Sequence, residues 1–121
     1  MRYSGDLKSA VEILVYETAG GREPFNDWLD SLDRSVRGRV IARVDRLERG
    51  LFGDAKALKG GIYELRGRQP SYRIYYAIIG RRVLLLISGG GKARQSEDIA
   101  RARDYLRDFK SRGEYAVWEE Y

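Results

Sequence analysis

Residues 62–88 read IYELRGRQPSYRIYYAIIGRRVLLLIS, and this stretch decides the fold prediction. Three runs rich in β-branched and aromatic residues, 62–66, 72–79 and 82–88, are typical of β-strands. Arg68-Gln69-Pro70 and Gly80-Arg81, which separate them, favour tight turns. The stretch therefore predicts a three-stranded antiparallel meander. Its third strand, VLLLI, is apolar on both faces, which favours a central position in the sheet.

Before the meander, the sequence predicts one strand and two helices. Residues 11–17, VEILVYE, indicate the strand. Pro24 fits the first turn of a helix. Asp33 or Ser35 can cap a second helix, which Gly50 ends. The apolar stripes at helical spacing are Phe25, Trp28, Leu29 and Leu32 in the first helix and Val36, Val40, Ile41, Val44, Leu47 and Leu51 in the second.

After the meander, Gly89-Gly90-Gly91 leads into a last helix over about residues 96–110. The predicted fold class is α+β: an N-terminal strand, a two-helix hairpin, a three-stranded antiparallel meander and a C-terminal helix packed on the sheet. We expect the helices on one face of the sheet, which leaves the other face open. The chain is predicted to be one domain over 1–121, with a core over about 11–110 and a tail over 111–121 of uncertain structure.

The composition limits the chemistry. A chain of 121 residues buries one modest core. It has no apolar run near the roughly 20 residues of a membrane span, and residues 1–10 show no export signal. We therefore expect a cytoplasmic protein. The absence of cysteine and histidine excludes disulfides, thiolate metal sites, zinc enzymes and histidine-dependent ribonucleases. No metal or cofactor is predicted.

The net charge of +5 is unevenly distributed. Residues 1–58 are balanced, whereas residues 59–94 hold eight basic side chains and one acidic side chain. Such a basic segment is typical of a surface that binds a phosphate backbone. The second helix carries a row of arginines but adds nothing to the net charge, and we interpret that row as a solvated surface.

Strand alternation predicts which side chains share the open face. Arg66 and Arg73 fall together on neighbouring antiparallel strands, with Glu64 and Tyr75 nearby. The basic residues expected around this patch are Lys56, Lys59, Arg68, Lys92 and Arg94.

A patch of this composition suits phosphodiester cleavage when the substrate supplies the nucleophile, as the 2′-hydroxyl of RNA does. Arginine's rigid fork suits the charge that develops on the phosphate. Glu64, or a tyrosine or lysine of lowered pKa, could accept the proton, and Tyr75 could stack on a base. The alternatives are an ion pair for Arg66 with Glu64 or another acid, and ordinary cross-strand packing for Tyr75.

Three segments together resemble the RelE/ParE toxin superfamily, and most closely its HigB-like branch of addiction-module killer proteins. They are GDAKALKGGIYELR at 53–66, SYRIYYAI at 71–78 and VLLLISGGGKARQSEDIARARDY at 83–105. Short pieces such as ELR are weak alone, but the order and spacing of the segments are specific. The similarity covers about residues 11–110.

The resemblance implies a RelE-like fold and the toxin of a type II toxin–antitoxin system, a metal-independent endoribonuclease that cleaves mRNA in the ribosomal A site. It also implies a helix-turn-helix antitoxin as partner, with operator DNA contacted only through that antitoxin. Carried over by motif, Arg73 matches the family's transition-state arginine. Arg66 matches the basic residue of the preceding strand, and Lys92 or Arg94 matches the basic residue after the last strand.

The sequence departs from the family pattern at the acid and base positions. Ile62 and Glu64 stand where some relatives have lysine or histidine. The C-terminal catalytic tyrosine or histidine of relatives has no evident counterpart, although Asp98 lies near that position and Tyr105 further into the helix. The general base is therefore unassigned. Two other functions stay open: a ParE-like gyrase-inhibiting toxin, and a catalytically degenerate RNA-binding member.

Overall fold

The computed structural model describes residues 11–113 as a five-stranded mixed sheet with three helices. The elements are β1 Glu12–Val15, α1 Pro24–Asp30, α2 Arg34–Glu48, β2 Ala55–Ala57, β3 Tyr63–Arg68, β4 Ser71–Gly80, β5 Val83–Gly90 and α3 Gln95–Ser111. The strand order is β1-β5-β4-β3-β2. This architecture confirms the α+β class. The predicted tail lies outside the described residues from 114 onward.

The predicted meander is present as β3, β4 and β5, but it is part of a larger sheet. β1 adds to it in parallel beside β5, and the short β2 adds antiparallel beside β3. β2 was not predicted, since three residues are too few for an alternating pattern. β5 lies between β1 and β4, as its wholly apolar sequence predicted.

One face of the sheet packs on the hairpin of α1 and α2, and we call it the hairpin face. The two helices contribute Phe25, Val40 and Leu47 to this core. The strands contribute side chains at alternate positions, namely Leu65, Ile74, Tyr76, Leu84 and Leu86. This half of the core follows the predicted alternation in β4.

The opposite face packs on α3, so the prediction of one open face was wrong. Tyr75, Ala77 and Ile79 of β4 project to this side together with Leu85 and Ile87 of β5. Burying one large apolar side chain stabilises a fold by roughly 1.5–3 kcal/mol, so this second apolar surface is expected to pack against another element. The stripe of α3 that packs on it is Ala102, Leu106 and Phe109. We call this side the α3 face.

Helix α2 ends where the sequence predicted, but its buried face differs slightly from the predicted apolar stripe. Gly50 has φ 80°, and its N–H donates to the carbonyl of Leu47 at 2.8 Å while that of Leu51 donates to Arg46 at 2.9 Å. This is a Schellman cap. Ile41 is 46% exposed and Leu51 is 55% exposed, contrary to the prediction. Ile41 lies about 100° around the helix from the buried stripe, and Leu51 lies beyond the cap.

Candidate functional site

Arg66 of β3 and Arg73 of β4 lie directly opposite each other, and Gly90 of β5 lies opposite Arg73 on the other side. Paired residues on neighbouring strands project to the same side of a sheet. The two arginines therefore share the α3 face, near the end of the sheet where β3 and β5 finish and β4 begins. We call this region the arginine end.

Arg73 is the centre of a buried polar network. It is 6% exposed, and its acidic partner Glu64 is 2% exposed. The Nε of Arg73 lies 3.4 Å from Oε2 of Glu64. The same oxygen accepts a 2.7 Å hydrogen bond from Nε2 of Gln95 and a 3.4 Å bond from the hydroxyl of Tyr75. Glu64 thus holds Arg73 in place within the sheet. Through its hydrogen bond with Gln95, Glu64 also connects this ion pair to the first residue of α3.

Gln95 was missed by the sequence analysis. A glutamine at the start of a helix carries no signal by itself, and only the packing of α3 brings it to Glu64 in β3.

Tyr75 is fully buried beside Glu64, with 0% of its surface exposed. Its ring is therefore unavailable for stacking on a base. Tyr75 has instead the ordinary cross-strand packing that was the alternative interpretation of the sequence. Burial, with the charge of Glu64 in second place, raises the pKa of the Tyr75 phenol above its usual value. A phenol with a raised pKa is a poor proton acceptor near neutral pH.

Arg66 and Arg68 form the exposed part of the arginine end. The side chain of Arg66 is 43% exposed and that of Arg68 is 84% exposed. Both approach Oδ2 of Asp54, at 3.8 Å and 3.5 Å. Within residues 11–113, the Nε of Arg66 and of Arg73 are buried without a hydrogen-bond partner. Each Nε instead faces a carboxylate, that of Asp54 for Arg66 and that of Glu64 for Arg73. An anionic ligand can therefore reach the exposed remainder of the Arg66 guanidinium.

The segment between β5 and α3 places two more of the predicted basic residues near the arginine end. Lys92 is exposed, and its carbonyl accepts a 3.3 Å hydrogen bond from the N–H of Gln95. Arg94 is also exposed, and its Nε donates to Glu97 at 2.9 Å. Because Gln95 also binds Glu64, this segment is connected to the buried network.

Lys56 and Lys59 lie farther from the arginine end, toward the start of β3. Lys56 is exposed in β2, where it pairs with Glu64, so it projects to the α3 face. Lys59 is exposed in the loop after β2. Its carbonyl accepts a 2.7 Å hydrogen bond from Nε of Arg103 in α3, which holds the loop against that helix.

Two further polar residues, Asp98 and Ser88, lie on the α3 face close to the arginine end. The carboxylate of Asp98 packs so closely on Gly90 that a Cβ there would overlap it. Burial raises the pKa of Asp98, while Arg101 and Arg94 act in the opposite direction. Ser88 pairs with Tyr75 in the sheet and is 9% exposed. The triple glycine was the sequence signal for this close packing.

Over the described part of the chain, no group of three or more acidic side chains is placed to hold a metal ion. None of the helices within residues 11–113 combines the length and the apolar character needed to cross a membrane.

Comparison with known proteins places the chain in a family. Residues 27–107 match the family described as phage derived protein Gp49-like (DUF891). An uncharacterized protein of Haemophilus influenzae is 36% identical over 81 residues, which cover 65% of this chain and 82% of that protein. The chain belongs to the Gp49-like family, a toxin–antitoxin-associated family of the RelE/HigB-like toxin type.

Proposed function

We propose that this protein is the toxin of a type II toxin–antitoxin system that cleaves mRNA in the ribosomal A site. The observation that carries the proposal is the Arg66–Arg73 pair, which lies on one face of the sheet with the Arg66 side chain 43% exposed. Family membership supports the toxin role and implies an antitoxin partner. The proposal further assigns a helix-turn-helix antitoxin, through which alone the protein contacts operator DNA, and a cytoplasmic location.

The proposed cleavage mechanism uses no histidine, because the chain contains none. The 2′-oxygen of the RNA attacks the adjacent phosphate, a 2′,3′-cyclic phosphate forms and the P–O5′ bond breaks. The proton of the 2′-hydroxyl passes through water to the departing 5′-oxygen, so the protein need only align the groups and stabilise charge. Arg66 is accessible and contacts the phosphate first. Arg73, which is buried and oriented by Glu64, adds its positive charge beneath the phosphate as negative charge develops there.

Glu64 acts as a positioning residue in this proposal, rather than as the general base. Its carboxylate is 2% exposed, and one of its oxygens is shared by Arg73, Gln95 and Tyr75. A base must come within hydrogen-bond reach of the 2′-hydroxyl. Lys92, which is exposed next to this network, is the candidate for contact with the reacting phosphate.

The surrounding cations hold the RNA backbone. Phosphate contacts supply affinity without sequence preference, and they depend on salt. The exposed side chains that suit this role are Arg68 and Arg94 at the arginine end, and Lys56 and Lys59 toward the start of β3.

The decisive experiment is induction of the protein in cells, followed by mapping of mRNA 5′ ends on translated messages. New 5′ ends within codons, dependent on translation, are expected together with growth arrest. Growth arrest with intact mRNA and halted DNA replication would instead indicate a gyrase inhibitor.

Variants connect the activity to the arginine end. Arg66→Ala leaves the buried network intact and is expected to lower cleavage by about 10²-fold or more, as loss of a transition-state donor does. Arg73→Ala is expected to abolish cleavage, provided that circular dichroism shows a folded protein. The control is Arg39→Ala, on the exposed surface of α2. Full toxicity of a folded Arg66→Ala variant would contradict the assignment.

A second candidate function is a non-cleaving RNA-binding member of the family. The burial of Glu64 and Tyr75, the two predicted participants in proton transfer or stacking, favours it. RNA binding by the purified protein without new 5′ ends in cells would support this second function over cleavage.

A further inference from the structure

A cleft opens at the carboxyl ends of the parallel strands β1 and β5. Its volume is about 390 Å³, which is enough for a small ligand. The chain leaves β1 for α1 on the hairpin face and leaves β5 for α3 on the opposite face. Helices that depart to opposite faces from adjacent parallel strands leave a crevice between them, and in open α/β sheets ligands bind in such a crevice.

The first sign of a ligand in this cleft is Ser88. Its side chain lines the cleft, is nine-tenths buried, and has an Oγ without a hydrogen-bond partner among residues 11–113. A buried hydroxyl left unpaired costs about 1–3 kcal/mol. A polar ligand group in the cleft would satisfy it.

The second sign is the carboxylate of Asp98, which lines the same cleft from the first turn of α3. It lies against Gly90, where no side chain separates it from the backbone of β5. Partial burial removes water from this carboxylate, which strengthens any hydrogen bond that it accepts from a ligand N–H.

Aromatic rings and cations complete the lining of the cleft. Trp28 from α1 and Tyr105 from α3 are both partly exposed, and the indole lies directly on Gly89. Arg22 and Arg101 add positive charge. Arg22 is held in place by Asp27, at 2.7 Å.

We propose that this cleft binds one nucleotide of the RNA substrate. The base lies against Trp28 and Tyr105, its exocyclic amino group donates to Asp98, and a further polar atom pairs with Ser88. The phosphate contacts Arg22 and Arg101. The assigned ligands are guanosine, adenosine and cytidine nucleotides, because uridine lacks the amino donor.

This inference rests on the proposed function, since it takes RNA as the substrate. Gly90 connects the cleft with the arginine end, because it pairs with Arg73 in the sheet and touches Asp98. An RNA strand with one base in the cleft therefore passes directly beside Arg73. The cleft would select the nucleotide next to the bond that is cut.

The test is a ligand-observed NMR titration of the purified protein with GMP, AMP, CMP and UMP. Saturable binding is expected for the first three, and binding of UMP should be at least several-fold weaker. Asp98→Asn should weaken GMP binding by about tenfold, equivalent to a lost charge-assisted hydrogen bond. Asp104→Asn is the matched control, because Asp104 lies on the same helix and pairs only with exposed Arg107 within the described residues.

Other outcomes overturn the inference. If inorganic phosphate displaces GMP fully at equal concentration, the site recognises an anion and not a base. If Arg66→Gln weakens GMP binding as much as Asp98→Asn does, the nucleotide binds at the arginine end instead. Absence of saturable binding also overturns it. Cleavage in cells without nucleotide binding rejects the cleft alone, whereas binding without cleavage rejects only the proposed reaction.

Discussion

The Arg73–Glu64 pair is the most consequential feature at the scale of single residues. Two charges buried to this degree require each other, because removal of either one leaves an uncompensated ion in the interior. Arg73 of this pair also carries the guanidinium group that the proposed reaction needs. Its role in stability and its role in function can be separated by comparing two kinds of variant.

Glu64→Gln is expected to lower the free energy of unfolding by about 3 kcal/mol, since it leaves Arg73 buried and unpaired. The double variant Glu64→Gln/Arg73→Met should lose clearly less than the sum of the two single variants, because the charges depend on each other. Urea unfolding measures all three. Glu97→Gln, which removes an exposed pair with Arg94, should cost under about 1 kcal/mol. Additive single losses would contradict the coupling.

Tyr76 makes stability sensitive to alkaline pH. Burial raises its pKa to about 12, and the neighbouring Tyr63 adds to the effect. An unfolded tyrosine titrates near pH 10. Between these values the unfolded chain releases a proton that the folded chain keeps, so stability is complete below about pH 10 and falls as the pH rises. The loss from this residue reaches about 2–3 kcal/mol.

Tyr76→Phe keeps the ring and removes the ionisable hydroxyl. The variant should therefore show a shallower decline in the free energy of unfolding between about pH 10 and 12, as measured by urea titrations at each pH. An unchanged slope would show that Tyr76 titrates normally in the folded protein.

At the scale of elements, β5 ends in two glycines that serve opposite faces of the sheet. Trp28 of α1 lies on Gly89 from the hairpin face, and Asp98 of α3 lies on Gly90 from the α3 face. The close approach of both helices depends on the absence of side chains here. These glycines thus determine how closely α1 and α3 approach the end of β5, where the cleft begins.

Gly89→Ala places a methyl group inside the Trp28 ring, so α1 must shift. Overpacking of this kind is expected to cost about 1–3 kcal/mol of stability. Gly38→Ala, at an exposed position of α2 with nothing within 4 Å of the new Cβ, should instead add about 0.5–1 kcal/mol. Thermal unfolding of both variants checks the prediction, and equal effects of the two would contradict it.

At the scale of the whole molecule, the basic excess of residues 59–94 should appear as salt-dependent RNA affinity. For single-stranded nucleic acid, each phosphate contact contributes about 0.7 to the slope of log affinity against log salt. Arg66→Gln and Arg68→Gln should each lower that slope by about this amount, as measured by fluorescence anisotropy of a labelled RNA. Arg39→Gln on α2 should leave it unchanged, and a change there would place the RNA on the helix.

Much of the local structure of this protein is predictable from short windows of its sequence. Alternation in β3 and β4, together with the short turn between them, predicted that Arg66 and Arg73 share one side of neighbouring strands, and the structure pairs the two residues directly. Gly50 marked the end of α2, and the apolar run VLLLI located β5 inside the sheet. These features depend on neighbours along the chain, and their physical causes are therefore readable within short windows.

The face that α3 covers follows from packing between distant elements, and this packing buries Arg73. Arg73 is the sole charged residue in its alternating set, whose other members, Tyr75, Ala77 and Ile79, are apolar. We predicted that this set faces solvent because it contains an arginine. In the structure, the free energy gained by burying three apolar side chains outweighs the cost of burying one paired charge. Contacts between Gln95 and Glu64, and the cleft beside Ser88, join elements distant in sequence, so no local pattern encodes them.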